Sequence, residues 1–297
     1  MSEGWDGLLA VDKPSGPTSH DLVSWVRTSG GIGRVGHTGT LDPPATGLLL
    51  LVLGRATRLA RYVPDAPKTY RGALEFGVTT TTDDLSGEVL DRHEGPLPDP
   101  AAVLQAAASQ LGPRLQVPPA FSARQVGGTR MYRLARRGIT VEAPATPISV
   151  ERFVLRATDT PRVWSFEIVV STGTYVRALV RDLGRALGCG AAVATLRRTV
   201  IGPLDVEGAL RLSERRATLS AEVRSRIIPI DAMPLALPSI VIDAAGAASR
   251  FAAGVAVPDP EPGPDPALAA VRAPDGRLLG VGLRGEGVIR PRLVLAP

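Results

Sequence analysis

Hydrophobic residues recur along this chain with two different periods, and the change from one to the other lays out its elements. Tyr70, Gly72, Leu74 and Phe76 alternate with Arg71, Ala73 and Glu75, which predicts a strand with one buried face. Residues 148–156 and 162–170 alternate in the same way and predict a strand pair that turns around Asp159 to Pro161. Residues 48–53 are unbroken apolar, the pattern of a fully buried strand, and residues 7–11 predict a further short one. Elsewhere the period is helical. Behind Ser19 as N-cap, Leu22, Val23 and Val26 share a face. Asp99 and Pro100 open a second helix with the stripe Val103, Leu104, Ala107, Ala108 and Leu111, and Gly112 ends it. Residues 175–187 carry the strongest stripe: Val176, Leu179, Val180, Leu183 and Leu187. Residues 129–137 predict a basic helix ended by Gly138.

After Asp205 the texture changes. Residues 210–228 predict a charged helix, the proline-punctuated stretch 229–238 a linker, and 257–266 a proline-rich loop. Residues 267–273 and 277–283 flank Pro274, Asp275 and Gly276 and predict a hairpin, with 288–295 as a further strand. Strands and helices mix without strict alternation. The expected fold is therefore α+β with a mixed or antiparallel sheet over residues 1–229, followed by a small β-rich module over 230–297.

Composition narrows the function classes. The single cysteine, Cys189, excludes an internal disulfide framework and a cysteine zinc cluster, and it reads as packing between glycines. His20, His37 and His93 lack ligand spacing, and no apolar run of about 18 residues is present. No secretory leader pattern opens the chain, so a soluble cytoplasmic protein is expected, without a membrane partner. The net charge is +5, and only Lys13 and Lys68 among the 34 basic residues are lysines. Residues 121–200 hold thirteen arginines against five acids, a charge of +8, while the rest of the chain nets −3. Part of this follows from an Ala/Arg/Gly/Pro bias in the whole chain. The clustering itself reads as the electrostatic footprint of a nucleic-acid partner, with a solvated basic face as the alternative.

The candidate chemistry starts at Gly36-His37-Thr38-Gly39-Thr40-Leu41-Asp42-Pro43-Pro44-Ala45-Thr46-Gly47. Glycine and threonine turns bracket one carboxylate, and Pro43 biases Asp42 toward an extended backbone. Such a loop presents an aspartate rigidly to a ligand. Taken alone it reads more readily as an Asx turn in which Asp42 caps its own backbone.

The stretch GHTGTLDPPATG resembles the signature of the bacterial tRNA pseudouridine-55 synthases of the TruB type. Three further segments resemble that family in its own order. They are Lys68-Thr69-Tyr70; Pro118-Pro119-Ala120-Phe121-Ser122-Ala123 running on to Tyr132 and Gly138; and Gly173-Thr174-Tyr175-Val176-Arg177 with Asp182-Leu183-Gly184, Gly188-Cys189-Gly190-Ala191 and Leu196-Arg197-Arg198. The similarity covers about residues 6–230. Pro44 stands where the family usually has leucine, Phe121 replaces a common tyrosine, and the C-terminal module matches the family's RNA-binding, PUA-like tail poorly.

The resemblance implies that Asp42 is the catalytic aspartate and that Arg177 pairs with it and aims it. It implies that Tyr70 packs on the target base and serves as base at C5. It places Tyr175 at the sugar and base, His37 in displacing the target nucleotide, Leu196 in the pocket wall and Asp84 on the substrate. The implied substrate is the T-arm of tRNA, bound by a monomer with no obligate protein partner and no cofactor. Uridine isomerisation breaks the N1–C1′ bond and makes a C5–C1′ bond, which needs a carboxylate at the sugar and a base taken out of its stack. The rival reading is a tRNA chaperone that folds the elbow and whose chemistry is secondary or lost.

Overall fold

The unbroken apolar run at 48–53 is buried on both faces, and this double burial sets the architecture. The computed structural model describes residues 5–122, 124–126, 128–132, 143–212, 219–261 and 266–295. Leu49, Leu51 and Leu53 enter one core, while Leu48, Leu50 and Val52 enter another. A strand sends successive side chains to opposite faces, so only a strand inside a covered sheet tolerates six apolar residues in a row.

The main sheet is mixed. Its strands β1 (Gly7–Lys13), β2 (Val35–His37), β3 (Thr46–Leu53), β4 (Lys68–Phe76), β5 (Gly112–Gln116), β6 (Thr146–Ala157), β7 (Val163–Val170), β8 (Ala191–Ile201) and β9 (Leu210–Arg211) run in the spatial order β9-β1-β3-β8-β4-β7-β6-β5, with β2 paired on β3. Along this path β1–β9 and β3–β8 are parallel and the other neighbours antiparallel. Helices α1 (Ser19–Gly30), α2 (Pro100–Ala108) and α3 (Val176–Ala186) cover one face. Leu22 and Val26, Val103 and Ala107, and Leu179 and Leu183 pack there against Leu49, Leu74 and Phe76.

The other face is covered by the C-terminal sheet. Strands β10 (Ser239–Val241), β11 (Val257–Pro258), β12 (Ala267–Arg272), β13 (Leu278–Gly285) and β14 (Val288–Val294) take the order β10-β12-β13-β14-β11. Ala270, Leu278, Val281 and Leu295 join Leu48, Leu50 and Val52 in the second core. The expected mixed α+β fold with a β-rich C-terminal module is what is found. Among the described residues no helix is long and apolar enough to cross a membrane.

Five local expectations are corrected. The N-cap of α1 is Thr18, which forms a capping box with Asp21; Ser19 is already helical and turns its hydroxyl inward. In α2 the stripe is narrower than its sequence suggests. Val103 and Ala107 are buried, but Leu104, and Leu111 beyond the helix end at Ala108, are exposed, because no described residue covers that flank. Residues 210–228 are not one helix. Leu210–Arg211 add to the edge of β1, and only α4 (Leu219–Arg226) is helical, with 213–218 outside the described residues. The stretch 229–238 is not a free linker, since Ile228 pairs with Leu8 and Ile230 and Met233 are buried in the second core. Of the basic helix expected at 129–137, Thr129–Arg130 form a short strand with Gln125–Val126, and 133–142 lie outside the described residues.

Candidate active site

The loop between β2 and β3 is held from the inside. Lys13, at the end of β1, is 0% exposed, and its ammonium donates to the carbonyls of Pro14 (2.9 Å), Pro43 (3.0 Å) and Ala45 (2.7 Å). Burial lowers its pKa to about 8, against the raising fields of Asp42 and Asp21. Arg198, on β8, is buried and donates to the carbonyls of Leu48 (2.7 Å) and Gly39 (3.1 Å). The Ser19 hydroxyl accepts from the Leu41 amide and donates to the Leu41 carbonyl. Gly47 permits the closest approach. Its φ is +102°, and a Cβ there would lie 2.2 Å from the Arg198 carbonyl oxygen. The turn itself closes by the Ala45 amide donating to the Asp42 carbonyl, so the Asp42 carboxylate is not spent on an Asx turn.

That carboxylate meets Arg177 instead. The amphipathic stripe of α3 anchors the helix on the sheet and leaves its first turn beside the loop. Nη2 of Arg177 is 2.9 Å from Oδ2 of Asp42. The same guanidinium donates to the carbonyls of Thr82 and Phe121, and Asp84 lies 3.8 Å from its Nε. Asp84 in turn accepts from the Thr82 hydroxyl and the Ser86 amide. Its neighbour Asp83 points elsewhere, to Arg181 at 3.1 Å, and burial raises its pKa against the lowering field of that arginine.

Asp42, Tyr70, Tyr175, Arg177 and Leu196 line one cavity of about 260 Å³, and Lys68 and Arg198 line it with them. Asp42, Arg177 and Leu196 also border a smaller cavity of about 40 Å³ that Asp84 lines. His37 is not in either wall. It ends β2 one residue before Thr38, which is, and its Nδ1 accepts from the Gly39 amide at 3.4 Å. Lys68 donates to the Thr172 hydroxyl at 2.6 Å, and its pKa is lowered by burial and then by the field of Arg198. Among the described residues no cluster of His, Cys, Asp and Glu is suited to a metal ion. Burial pushes the Cys189 thiol up, as packing rather than nucleophilic chemistry requires.

Lys13, Lys68, Arg198 and Ser19 were not candidates from sequence. One signal for two of them existed: both lysines of an arginine-rich chain stand at this site. A compact ammonium reaches three converging carbonyls where a planar fork does not fit.

A larger cleft of about 920 Å³ lies at the other end of β1 and β3, beside Trp5, Arg34, Arg55 and Arg277. Its acids are already used: Asp6 accepts from Arg55, and Asp231 from the Leu278 amide. Size therefore does not make it the reactive centre. The arginine density of 121–200 is also partly architectural. Arg177 and Arg198 are buried, Arg197 is bidentate with Asp12, Arg181 bridges Asp83 and Asp182, and Arg152 pairs with Glu167. Arg133, Arg136 and Arg137 lie outside the described residues.

Residues 27–176 match the model of the TruB family pseudouridylate synthase N-terminal domain, and residues 177–233 that of the tRNA pseudouridylate synthase B C-terminal domain. The chain is 40% identical over 299 residues to the tRNA pseudouridine synthase B of Burkholderia pseudomallei (strain 668), covering 98% of this chain and 97% of that one. It is 41% identical over 300 residues to the protein of the same name from Thermobifida fusca (strain YX), covering 98% and 99%. Among solved structures it superposes on a Cbf5-Nop10-Gar1 complex with a TM-score of 0.70 at 24% identity, covering 98% of this chain and 85% of that one. It superposes with a TM-score of 0.71 at 22% identity on an H/ACA RNP bound to a substrate RNA containing 2'-deoxyuridine, covering 100% and 92%. These two likenesses concern the fold.

Proposed function

The chain belongs to the TruB family of pseudouridylate synthases, and from that premise we propose that it isomerises the T-loop uridine at position 55 of tRNA, with Asp42 as the catalytic carboxylate. One observation carries the residue assignment. Asp42 is the sole acid among the described residues lining the 260 Å³ cavity, and Arg177 grips it from the buried side.

The reaction moves no atom on or off the substrate heavy-atom skeleton. The N1–C1′ bond breaks, the detached uracil turns, C5 bonds to C1′, the C5 proton leaves and N1 gains one. Asp42 supplies negative charge at C1′, either as a nucleophile or by stabilising the positive sugar. Tyr70 and Tyr175 flank the base that has left its stack, and stacking on them offsets an unstacking cost of a few kcal/mol. The Tyr70 hydroxyl relays the C5 proton, accepting it on oxygen as its own proton passes to solvent, from which N1 is reprotonated. Leu196 bounds the pocket on the apolar side, Asp84 meets the substrate through the adjoining small cavity, and His37 assists displacement from outside the wall. The partner is the T-arm of tRNA, read by shape and splayed bases. The protein acts as a cytoplasmic monomer without an obligate protein partner, and residues 1–229 and 230–297 are its catalytic domain and C-terminal module.

The test is incubation with an unmodified tRNA transcript, followed by chemical mapping of pseudouridine. The wild type is expected to modify the T-loop uridine. Asp42→Asn is expected to make no product while binding tRNA within about tenfold, roughly 1.4 kcal/mol. Product from the variant at a near wild-type rate would remove Asp42 from the chemistry. Unmodified RNA with the wild type, together with intact binding, would favour the tRNA-folding reading.

A further inference from the structure

Gln116 ends the edge strand β5 far from the cavity in sequence, and its side chain is 1% exposed. Both ends of its carboxamide are committed to one residue. Oε1 accepts from the Tyr175 amide at 2.9 Å, and Nε2 donates to the Tyr175 carbonyl at 3.1 Å. Tyr175 is the N-cap of α3, with φ −99° and ψ 108°, and makes no side-chain capping bond of its own. Its carbonyl also accepts the first intrahelical bond, from Leu179. Gln116 thus does from a distance what a capping side chain does locally: it satisfies an orphan amide and fixes the angle at which the helix begins.

Two functional side chains depend on that angle. Tyr175 lines the cavity, and Arg177, two residues on, grips Asp42. The residues after Gln116 follow the same helix, with the Val117 carbonyl accepting from Arg181 and the Phe121 carbonyl from Arg177. Those two contacts are made by backbone and survive any substitution at 117 or 121. The contact from Gln116 is made by a side chain and can be removed.

We propose that Gln116 is a positioning residue for the reaction, clamping the Tyr175 peptide so that Tyr175 and Arg177 stand in register with Asp42. It does not line the cavity, and it acts through these two residues. The inference rests on the functional reading above. A reacting group displaced by about 1 Å loses on the order of 10² in rate.

The experiment compares wild type, Gln116→Met and Gln116→Glu in single turnover on the unmodified tRNA transcript between pH 6 and 9, with tRNA affinity and thermal melting measured alongside. Gln116→Met keeps the length and removes both bonds. It is expected to lower the single-turnover rate about 10–100-fold, with tRNA affinity within about threefold (under about 0.7 kcal/mol). Gln116→Glu carries its own control. Protonated, its carboxyl donates to the Tyr175 carbonyl and accepts from the Tyr175 amide as the carboxamide does; ionised, it sets an oxygen against that carbonyl. A carboxyl buried against that carbonyl titrates above the ordinary glutamate value of about 4.3, so the variant's rate relative to wild type is expected to be highest at pH 6 and to fall as pH rises, with melting at each pH showing that the fold itself is kept. Gln116→Met at the wild-type rate, or Gln116→Glu at the wild-type rate throughout the pH range, overturns the proposal. A misfolded Gln116→Met leaves the pH series of Gln116→Glu to decide. Should the wild type make no pseudouridine, the functional reading fails by itself, and amide exchange at Tyr175 decides the clamp: at least tenfold faster in Gln116→Met supports it, and unchanged exchange removes it.

Discussion

The Arg177 guanidinium is 5% exposed and the Asp42 carboxylate it holds is 38% exposed, at 2.9 Å. The pair is therefore asymmetric. The cation is locked below the surface by two carbonyls and a second carboxylate, and the anion faces the cavity. Arginine suits this place because its fork serves several acceptors in fixed directions, whereas an ammonium is a point charge on a flexible stem.

Arg177→Lys is accordingly expected to keep the charge and lose the alignment. Single-turnover pseudouridine formation should fall by about 10² or more. Leaving a part-buried carbonyl of Thr82 or Phe121 without its donor should cost about 1 kcal/mol of stability by denaturant titration. A variant with wild-type rate would show that charge alone is enough at Asp42.

Tyr70→Phe separates the ring from the hydroxyl. The ring retains stacking worth roughly 1–3 kcal/mol per base, so tRNA binding should be near normal. Loss of the proposed proton acceptor should lower the single-turnover rate by about 10²–10⁴. Tyr70→Leu should lose both. Single-turnover measurement is needed, since product release can mask a slowed chemical step. Wild-type turnover by Tyr70→Phe would leave Tyr70 as a platform only.

Lys13 gives a pH signature in stability. Its folded pKa of about 8 lies below the unfolded value of 10.5, so between these values the unfolded chain binds more protons and stability rises with pH. Below pH 8 the buried charge carries its full cost. Lys13→Met has no such group. The melting temperature of the wild type minus that of Lys13→Met should therefore increase from pH 7.5 to pH 10. A difference that shrinks over this range would contradict the buried, proton-shedding amine.

Gly47→Ala tests how tightly the loop is tied to β8. The substitution puts a Cβ 2.2 Å from the Arg198 carbonyl at a φ of +102°. Neither atom is the free end of a flexible chain, so the strands must part. A loss on the order of 3 kcal/mol or more is expected by chemical denaturation, with pseudouridine formation falling alongside. A variant as stable as wild type would mean that β3 and β8 separate at little cost.

Much of the frame was written locally. The alternation in 70–76 and 162–170, the double burial of 48–53 and the stripe on 175–187 each depend on spacing within one element, and each appears as read. Asp42, Tyr70, Tyr175, Arg177 and Leu196, named from motif resemblance, meet at one cavity. What sequence could not supply were choices made between distant elements. Thr18 and Ser19 are equivalent caps by type, and only the nearness of Leu41 turns Ser19 inward. Leu104 and Leu111 continue an apolar stripe that no described residue covers. The arginines of 121–200 look alike along the chain. Burial and the position of Asp12, Asp42, Asp83 and Glu167 decide which of them hold the fold together. Gln116 and Lys13 carry no periodicity at all. Each has its role because its polar end meets backbone groups 59 and 32 residues away, and a buried amide or carbonyl must find such a partner wherever the fold provides one.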